Sequence, residues 1–266
     1  MINDNTYGSL GPLEANIVAR LTYEKKSIVT TNELDRLFKL SPEDRKQVVF
    51  RLKRKNRLTP IKPGVYIFSS LESGPAGRGI NELLIPPVFF PKGNYYTGYS
   101  TMFNYYGFTE QLFQTVYVLN TTMSKQRIIC GMAYKFIKIP ANRLYGLETI
   151  QIQEMDVIIS TKERTMIDLL YFNKPVGGVE AAGKIFRTIV ETKKCDLKRL
   201  VEYAAKFPIV TTRKRAGILL EKAGISDSLL NTLAQSVQKT SISSLGRSRK
   251  GTLNKKWRVI IDASSG

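Results

Sequence analysis

The chain has 266 residues, a length that suits one large domain or two modest ones with a buried core. Hydrophobic residues make up 42% and charged residues 24%, which excludes a wholly disordered, collagen-like or coiled-coil chain. The 41 Lys and Arg against 22 Asp and Glu give a formal net charge of +19. Such an excess favours a polyanionic partner, either nucleic acid or an anionic membrane surface.

Several classes of site are excluded by what the sequence lacks. There is no histidine, so Ser-His and Cys-His catalysis and His-ligated metals are excluded. Cys130 and Cys195 show no CxxC spacing, and we expect both to be buried as small apolar residues. Neither a GxxxxGK[ST] loop nor a GxGxxG motif after a strand occurs. We therefore expect no metal, no cofactor and no enzymatic activity.

A membrane partner is also disfavoured. No window approaches about 18 consecutive apolar residues, and the N-terminal sequence lacks the basic start and apolar centre of a signal peptide. We expect a cytoplasmic protein with no membrane contact. Nucleic acid is then the favoured polyanion.

The N-terminal segment has the pattern of consecutive helices. Apolar residues recur at spacings of three and four over 13–21, beginning with Leu13, which predicts a first helix. Thr30 stands three residues before Glu33, the spacing of a capping box. A short second helix is therefore predicted to begin there and to end near Leu40.

A third helix and a hairpin follow. Ser41 suits the N-cap and Pro42 the first helical position, where no N–H group is needed. Turn residues at 62–64 separate two β-prone runs within 58–68, which predicts a hairpin. Three helices followed by a hairpin is the order of a winged helix-turn-helix, so residues 1–70 are predicted to form a DNA-binding domain of this kind.

The outward face of the predicted third helix is basic. At 100° per residue, Val48, Val49 and Leu52 form the packing side, and mostly Lys, Arg and Gln lie opposite. Such a helix can enter the major groove while nearby cations neutralise phosphates. The alternative is a solvated helix end, where the helix dipole favours cations anyway. The predicted DNA-binding residues are Ser41, Lys46, Gln47, Phe50, Arg51, Arg54, Lys55, Lys62 and Tyr66.

A second domain is predicted at residues 80–266. The preceding stretch, 69–79, is rich in Gly, Ser and Pro and reads as a linker. Strand-like runs lie at 115–119, 134–139, 150–153 and 157–159. Helical periods follow at 164–171, 179–190, 197–205, 213–223 and 228–237, with a last strand at 257–261. The predicted fold class is α+β, an N-terminal winged helix-turn-helix with a C-terminal mixed α+β domain.

Residues 211–258 carry 11 basic and 2 acidic side chains. This concentration favours a second basic surface that meets nucleic acid or an acidic partner. The alternative is a solubilising flank without a partner. The residues assigned to this surface are Arg213, Lys214, Arg215, Arg247, Arg249, Lys250, Lys255 and Lys256.

The helix predicted at 164–171 and the aromatic cluster near 103–117 each allow two interpretations. Glu163, Arg164 and Asp168 form either an exposed helix face or a partly buried ion-pair network. A domain core is favoured over a ligand site for the aromatic residues Phe103, Tyr105, Tyr106 and Tyr117. A metal-dependent nuclease is disfavoured because the ExK triples at 24–26 and 191–193 fall in helical patterns.

Five segments, taken in order, resemble the AbiEi-like antitoxin family. Residues 64–66 match the family's wing, and the later matches lie at 100–118 (STMFNYYGFTEQLFQTVYV), 160–170 (STKERTMIDLL), 215–224 (RAGILLEKAG) and 256–260 (KWRVI). Together they span most of the chain. Tyr106 stands where the family often has histidine, so no role for that imidazole carries over.

The resemblance implies a transcriptional autorepressor of a phage-defence toxin–antitoxin operon. Its first domain would bind double-stranded operator DNA, with inverted repeats favouring paired binding. Its second domain would counteract a nucleotidyltransferase toxin encoded in the same operon, by direct contact or through the toxin's target. Two alternatives stay open: a ligand-sensing winged-helix regulator with no toxin, and the disfavoured metal-dependent nuclease.

Overall fold

The computed structural model describes residues 10–73, 81–153, 155–244 and 251–261. Two compact units are formed. One comprises residues 1–89, 127–132 and 151–156, and the other comprises residues 90–126, 133–150 and 157–266. Helices and strands are mixed in both units, which confirms the α+β class. The predicted linker at 69–79 lies within the range of the first unit, and its residues from 74 onward fall outside the described ranges.

The described residues within 10–89, the main part of the first unit, form helices and one small antiparallel sheet. Its elements are α1 (Pro12–Tyr23), β1 (Ile28–Thr30), α2 (Thr31–Phe38), α3 (Pro42–Arg54), β2 (Leu58–Lys62), β3 (Val65–Phe68) and the short α4 (Ile85–Phe89). The sheet order is β1-β3-β2. The predicted hairpin is therefore confirmed as β2 and β3, and the missed strand β1 pairs with β3 on its other side.

The helix starts in this unit follow from local side-chain chemistry. The Thr30 N–H donates to the Glu33 carboxylate at 2.9 Å, and the Glu33 N–H donates to Thr30 Oγ1 at 3.1 Å. Ser41 Oγ accepts from the Asp44 N–H at 3.1 Å, with Pro42 in the first helical position. Both predicted caps are confirmed, so the starts of α2 and α3 are specified by their own residues.

Apolar residues of all three predicted helices meet in one core. Its buried members are Ile17, Val18, Leu21, Val29, Leu34, Val48, Val49, Leu52, Leu58 and Phe68. The prediction that Leu13 belongs to this face was wrong, since Leu13 is 38% exposed. Glu14, rather than Leu13, is the buried residue in the first turn of α1. Its carboxylate accepts a hydrogen bond from the ammonium of Lys55 at the end of α3.

The described remainder of the chain combines a larger sheet with a group of helices. It belongs to the second unit except for residues 127–132 and 151–156, which are counted with the first unit. Its first elements are β4 (Tyr95–Gly98), α5 (Ser100–Tyr105), β5 (Thr115–Asn120), β6 (Lys125–Ile129), β7 (Met132–Lys138), β8 (Leu147–Ile152) and β9 (Met155–Ser160). The others are α6 (Lys162–Tyr171), α7 (Val179–Glu191), α8 (Leu197–Lys206), α9 (Val210–Lys222), α10 (Asp227–Gln238), β10 (Ser243–Ser244), β11 (Thr252–Asn254) and β12 (Val259–Ile261).

The larger sheet has the order β6-β7-β5-β4-β9-β8. It is mixed, because β4 runs antiparallel to β5 but parallel to β9, and β5 runs parallel to β7. The four strands and five helices predicted between 115 and 237 are confirmed within a few residues at their ends. Sequence patterns missed β4, α5 and β6, as well as the two short strands that pair with β12.

Helices α6 to α10 and the single tryptophan contribute to one hydrophobic core. Trp257 is fully buried, and its indole N–H donates to Glu221 Oε2 at 2.9 Å. A Cβ atom placed on Gly217 of α9 would lie 2.2 Å from Trp257 Cζ3. The indole therefore lies directly against the α9 backbone. Trp257 itself precedes β12, so the predicted last strand is shorter than expected.

We expect Gly217→Ala to lower the free energy of unfolding by about 1–3 kcal/mol, because the added methyl group overlaps the Trp257 ring. Gly183→Ala on α7 is the matched control. Its Cβ would meet Leu219 Cδ2 at an ordinary 3.6 Å, so a better helix former should leave stability equal or up to about 1 kcal/mol higher. Urea denaturation measures both. Equal stability of the two variants would contradict the close contact.

Candidate nucleic-acid interface

The face of α3 opposite the core carries exposed polar and basic side chains. Lys46, Gln47, Arg51 and Arg54 are all exposed, and Phe50 among them is 59% exposed. The Arg54 guanidinium carbon lies 5.9 Å from the Phe50 ring centroid. The predicted division of this helix into a packing side and a basic side is confirmed.

A groove of about 530 Å³ runs along one edge of this face. Lys46, Phe50 and Lys53 border it from α3, while Thr31 and Tyr66 border it from α2 and β3. Lys53 was missed by the sequence interpretation. The signal was present, because Lys46, Phe50 and Lys53 follow the i, i+4, i+7 spacing of one helix stripe. Tyr66 and the ammonium groups of Lys46 and Lys53 therefore lie along one edge of α3.

The opposite edge of α3 is held by a buried carboxylate. Glu14 is only 2% exposed, and its carboxylate accepts from the Lys55 ammonium and from the Gly11 N–H at 3.3 Å. Arg51 Nη1 lies 3.7 Å from the same carboxylate, and Arg51 Nη2 lies 3.4 Å from Gln47 Oε1. This edge of the helix therefore presents cations whose positions are partly set from within the unit.

Two more predicted residues are engaged by neighbours. The Ser41 hydroxyl lies 2.7 Å from Asp44 Oδ2 and serves as the cap of α3. Lys62 is half-buried, and its ammonium donates to the Val88 carbonyl. We therefore remove Lys62 from the candidate interface. Tyr66 stays in it as a half-buried wall of the groove.

The predicted second basic surface is not formed by Lys214. This residue is 1% exposed, and its ammonium donates to the Ser241 carbonyl at 2.5 Å, to the Arg258 carbonyl at 3.0 Å and to Ser243 Oγ at 3.3 Å. Burial lowers the pKa of Lys214, and the neighbouring charge of Arg258 lowers it further. The assignment of Lys214 to an exposed surface was wrong because it ties α9 to the C-terminal segment.

Other cations of this predicted surface also turn towards the protein. Arg213 and Arg215 are half-buried and donate to the carbonyls of Ser236 at 2.9 Å and Leu170 at 3.2 Å. The Lys256 ammonium lies 2.8 Å from Glu221 and 2.5 Å from Asp227. Lys255 is exposed, and the remaining members, Arg247, Arg249 and Lys250, lie outside the described residues.

Of the three polar residues singled out on α6, Arg164 and Asp168 form a buried ion pair, as in the second interpretation, whereas the buried Glu163 carboxylate accepts from the Asp196 N–H at 3.0 Å. Arg164 and Asp168 are both 0% exposed, and their charged groups lie 3.2 Å apart. The Tyr96 hydroxyl accepts from Arg164 Nη2 at 2.8 Å and donates to Asp168 Oδ2 at 3.3 Å. Arg164 Nη1 also donates to the carbonyls of Arg143 and Tyr145.

The electrostatics of this network follow from its burial. Burial raises the pKa of Tyr96, and the Asp168 charge raises it further, so the phenol stays protonated. Burial alone would lower the pKa of Arg164, but the charge of Asp168 and the neighbouring phenols raise it instead. The network therefore holds one charge of each sign in the interior of the second unit.

Three other expectations need correction or completion. The aromatic cluster is only partly core, since Phe103 is buried but Tyr105 is 50% exposed. Cys130 is exposed rather than buried, at a left-handed backbone position with φ +52° between β6 and β7. Cys195 is half-buried, and burial together with the Glu163 charge raises its pKa to about 11.

The described ranges contain neither a cluster of metal ligands nor a membrane-spanning helix. No three Cys, Asp or Glu side chains among those residues come together as metal ligands would. None of the helices built from them combines the length and the apolar character needed to cross a bilayer.

No protein-family model matches the chain, and no curated protein matches it. Among solved structures, the fold is similar to the crystal structure of the RV2827C protein from Mycobacterium tuberculosis, with a TM-score of 0.67. The sequences are 11% identical, and the match covers 98% of this chain and 95% of that one. This likeness establishes a shared fold and carries no information about function.

We expect Asp168→Asn to lower the free energy of unfolding by about 3 kcal/mol, because it leaves the Arg164 guanidinium buried without its carboxylate. Glu180→Gln provides a control at the same i, i+4 spacing. The side chains of Glu180 and of its partner Lys184 are both largely exposed. The free energy of unfolding should therefore fall by no more than about 0.5 kcal/mol. If denaturant titration gave the two variants equal stability, removing a partner of the buried pair would cost no more than removing an exposed one, which would contradict the expected effect of burial.

Proposed function

We propose that this protein binds double-stranded DNA through α3 of its first unit and represses transcription from the promoter that it occupies. The observation that carries the proposal is the exposed basic and aromatic face of α3. It combines cations, an amide and an aromatic ring on one side of a helix whose other side is core.

The arrangement of the first unit supports a winged helix-turn-helix interpretation. A short capped helix, α2, is followed after a tight turn by α3, which then takes the place of the recognition helix. The hairpin of β2 and β3 takes the place of the wing, and Tyr66 on β3 borders the groove beside α3. Base readers and phosphate binders would then approach one duplex together.

Individual side chains suggest a division of work. The Gln47 amide can pair with an adenine edge, and arginine forks can pair with guanine in the major groove. Lys46 and Lys53 border the groove on the side of Tyr66, where phosphate neutralisation would supply affinity without sequence choice. Arg51 is preordered by Glu14, which lowers the conformational entropy lost when it binds.

The antitoxin part of the proposal depends on the family resemblance. Four of the five matching segments belong to the second unit, at 100–118, 160–170, 215–224 and 256–260. We infer that the second unit counteracts a nucleotidyltransferase toxin from the same operon. The promoter bound by α3 would then be the promoter of that operon.

For DNA binding, the test is the double variant Lys46→Ala plus Arg54→Ala. In the described residues neither side chain has a carboxylate within 4 Å, so its removal leaves no carboxylate unpaired. We expect affinity for promoter DNA to fall about tenfold or more and the salt dependence to weaken by about two phosphate contacts. Gel-shift titration at several salt concentrations measures both effects.

Lys198→Ala plus Lys239→Ala is the control, because it removes the same charge from exposed positions of the second unit. Its affinity should stay within about twofold of the parent chain. If both double variants weakened binding equally, net charge alone would explain it and α3 would not be the interface. If the Lys46 and Arg54 variant bound normally, DNA binding through α3 would be disproved.

For the antitoxin part, we expect co-expression of this chain to restore growth of cells that produce the neighbouring nucleotidyltransferase. The Lys46 and Arg54 variant should restore growth equally well when expressed from an unrelated promoter, because rescue is assigned to the second unit. Colony counts measure rescue. Absence of a nucleotidyltransferase gene in the operon, or failure to restore growth, would remove the antitoxin role and leave DNA binding unaffected.

A further inference from the structure

A separate cleft of about 300 Å³ lies within the second unit. It is bordered by the end of α5, the start of α6 and one face of α7. Among the residues that line it are Lys162, Lys184 and Lys194, and no carboxylate belongs to the lining. Three ammonium groups therefore border one small concave space, and none of the predicted DNA-binding residues takes part.

The lining of the cleft includes aromatic and aliphatic side chains; Tyr106 and Phe108 form what we call its aromatic wall. The rings of Tyr106 and Phe108 are stacked, with centroids 5.9 Å apart and planes inclined by 29°. Ile185 and Ile189 of α7 supply the aliphatic side chains of the lining. Such a lining can contact the face of a planar ring.

The wall is fixed in place and electrically neutral. The Tyr106 hydroxyl lies 2.5 Å from Glu148 Oε1 and 2.8 Å from the Ser160 carbonyl, so its ring is anchored from behind. Burial, the hydrogen bond to Glu148 and that carboxylate's charge raise the pKa of Tyr106. The phenol therefore adds no negative charge to the cleft at neutral pH.

Within the described residues, the three lysines of the cleft form no strong ion pair. In the described residues, no carboxylate lies within 4 Å of the ammonium of Lys162 or Lys194, and Lys162 Nζ instead lies 5.8 Å from the Tyr106 ring centroid. Lys184 pairs with Glu180 at 3.1 Å, but both side chains are largely exposed and such a pair is weak. An anion entering the cleft would meet cations that it need not displace from strong partners.

We propose that this cleft binds a nucleotide, with its phosphate among Lys162, Lys184 and Lys194 and its base against Tyr106 and Phe108. Aromatic stacking and lysine contacts are the two interactions by which proteins hold a base and its phosphate without reading sequence. The volume is at the lower end of ligand pockets, which suits one nucleotide. The nucleotide is either free or one residue of a single strand.

The test uses the full chain carrying Lys46→Ala plus Arg54→Ala, so that α3 does not contribute to binding. Isothermal titration with each of the common ribonucleoside monophosphates and triphosphates tests the free form. Fluorescence anisotropy with a labelled eight-nucleotide single-stranded RNA tests the strand. We expect saturable binding of at least one of these probes.

Adding Lys162→Ala plus Lys194→Ala should weaken that binding about tenfold or more, since two charge-assisted phosphate contacts are lost. Adding Lys198→Ala plus Lys239→Ala instead should change it by no more than about twofold, because these exposed lysines do not line the cleft. Binding of a mononucleotide would identify the free form, and binding of the oligonucleotide alone would identify the strand. No binding of any probe, or equal losses in the two lysine pairs, would overturn the proposal.

Discussion

A buried cation must be surrounded by oxygen atoms, and this requirement divides the positive charges of the chain into two groups. Arg164 and Lys214 are enclosed, and each is satisfied by several oxygens: a carboxylate, a phenol and carbonyls for Arg164, two carbonyls and a hydroxyl for Lys214. Without those partners, the cost of burying either charge would be several kcal/mol. These cations stabilise the fold and are not available to a ligand.

The other group consists of cations at the surface with few partners. On α3, Lys46 and Arg54 lie on the exposed face, whereas Lys55 is taken up by the buried Glu14. The cations on the exposed face of α3 are therefore open to solvent, whereas Lys55, at the end of this helix, is bound by Glu14 of α1. A net charge of +19 therefore overstates the positive surface. Several of the exposed cations, Lys46, Arg51, Lys53 and Arg54, lie on one helix.

Sequence patterns were most reliable where local chemistry decides the structure. The caps at Thr30 and Ser41 set helix starts through contacts three residues apart, and the packing side of α3 follows from helical periodicity. Strands β1 and β4 were missed because they are three and four residues long and take their stability from pairing with distant strands. Propensity within such a short window carries little information.

The exposure of the predicted site residues was likewise predictable only where local helical periodicity decides it. Exposure of Phe50 was predictable because its neighbours on the helix fix its direction, and Lys53 was recoverable from the same stripe. The burial of Lys214 was not, since its three partners lie 27 to 44 residues further along the chain. A run of basic residues in the sequence shows how many positive charges are present. Only long-range contacts decide which of them turn inward.

The groove and the cleft differ in the kind of anion that each would favour. Along α3, the cations lie on a convex helix face beside an open groove, a shape that fits the outside of a duplex. In the second unit, Lys162 and Lys194 border a half-open cleft with aromatic residues on one side, a shape that would fit an unstacked base and its phosphate. A duplex keeps its bases stacked and so cannot fill that space. The two surfaces would therefore recognise different forms of nucleic acid, which allows one chain to bind both independently.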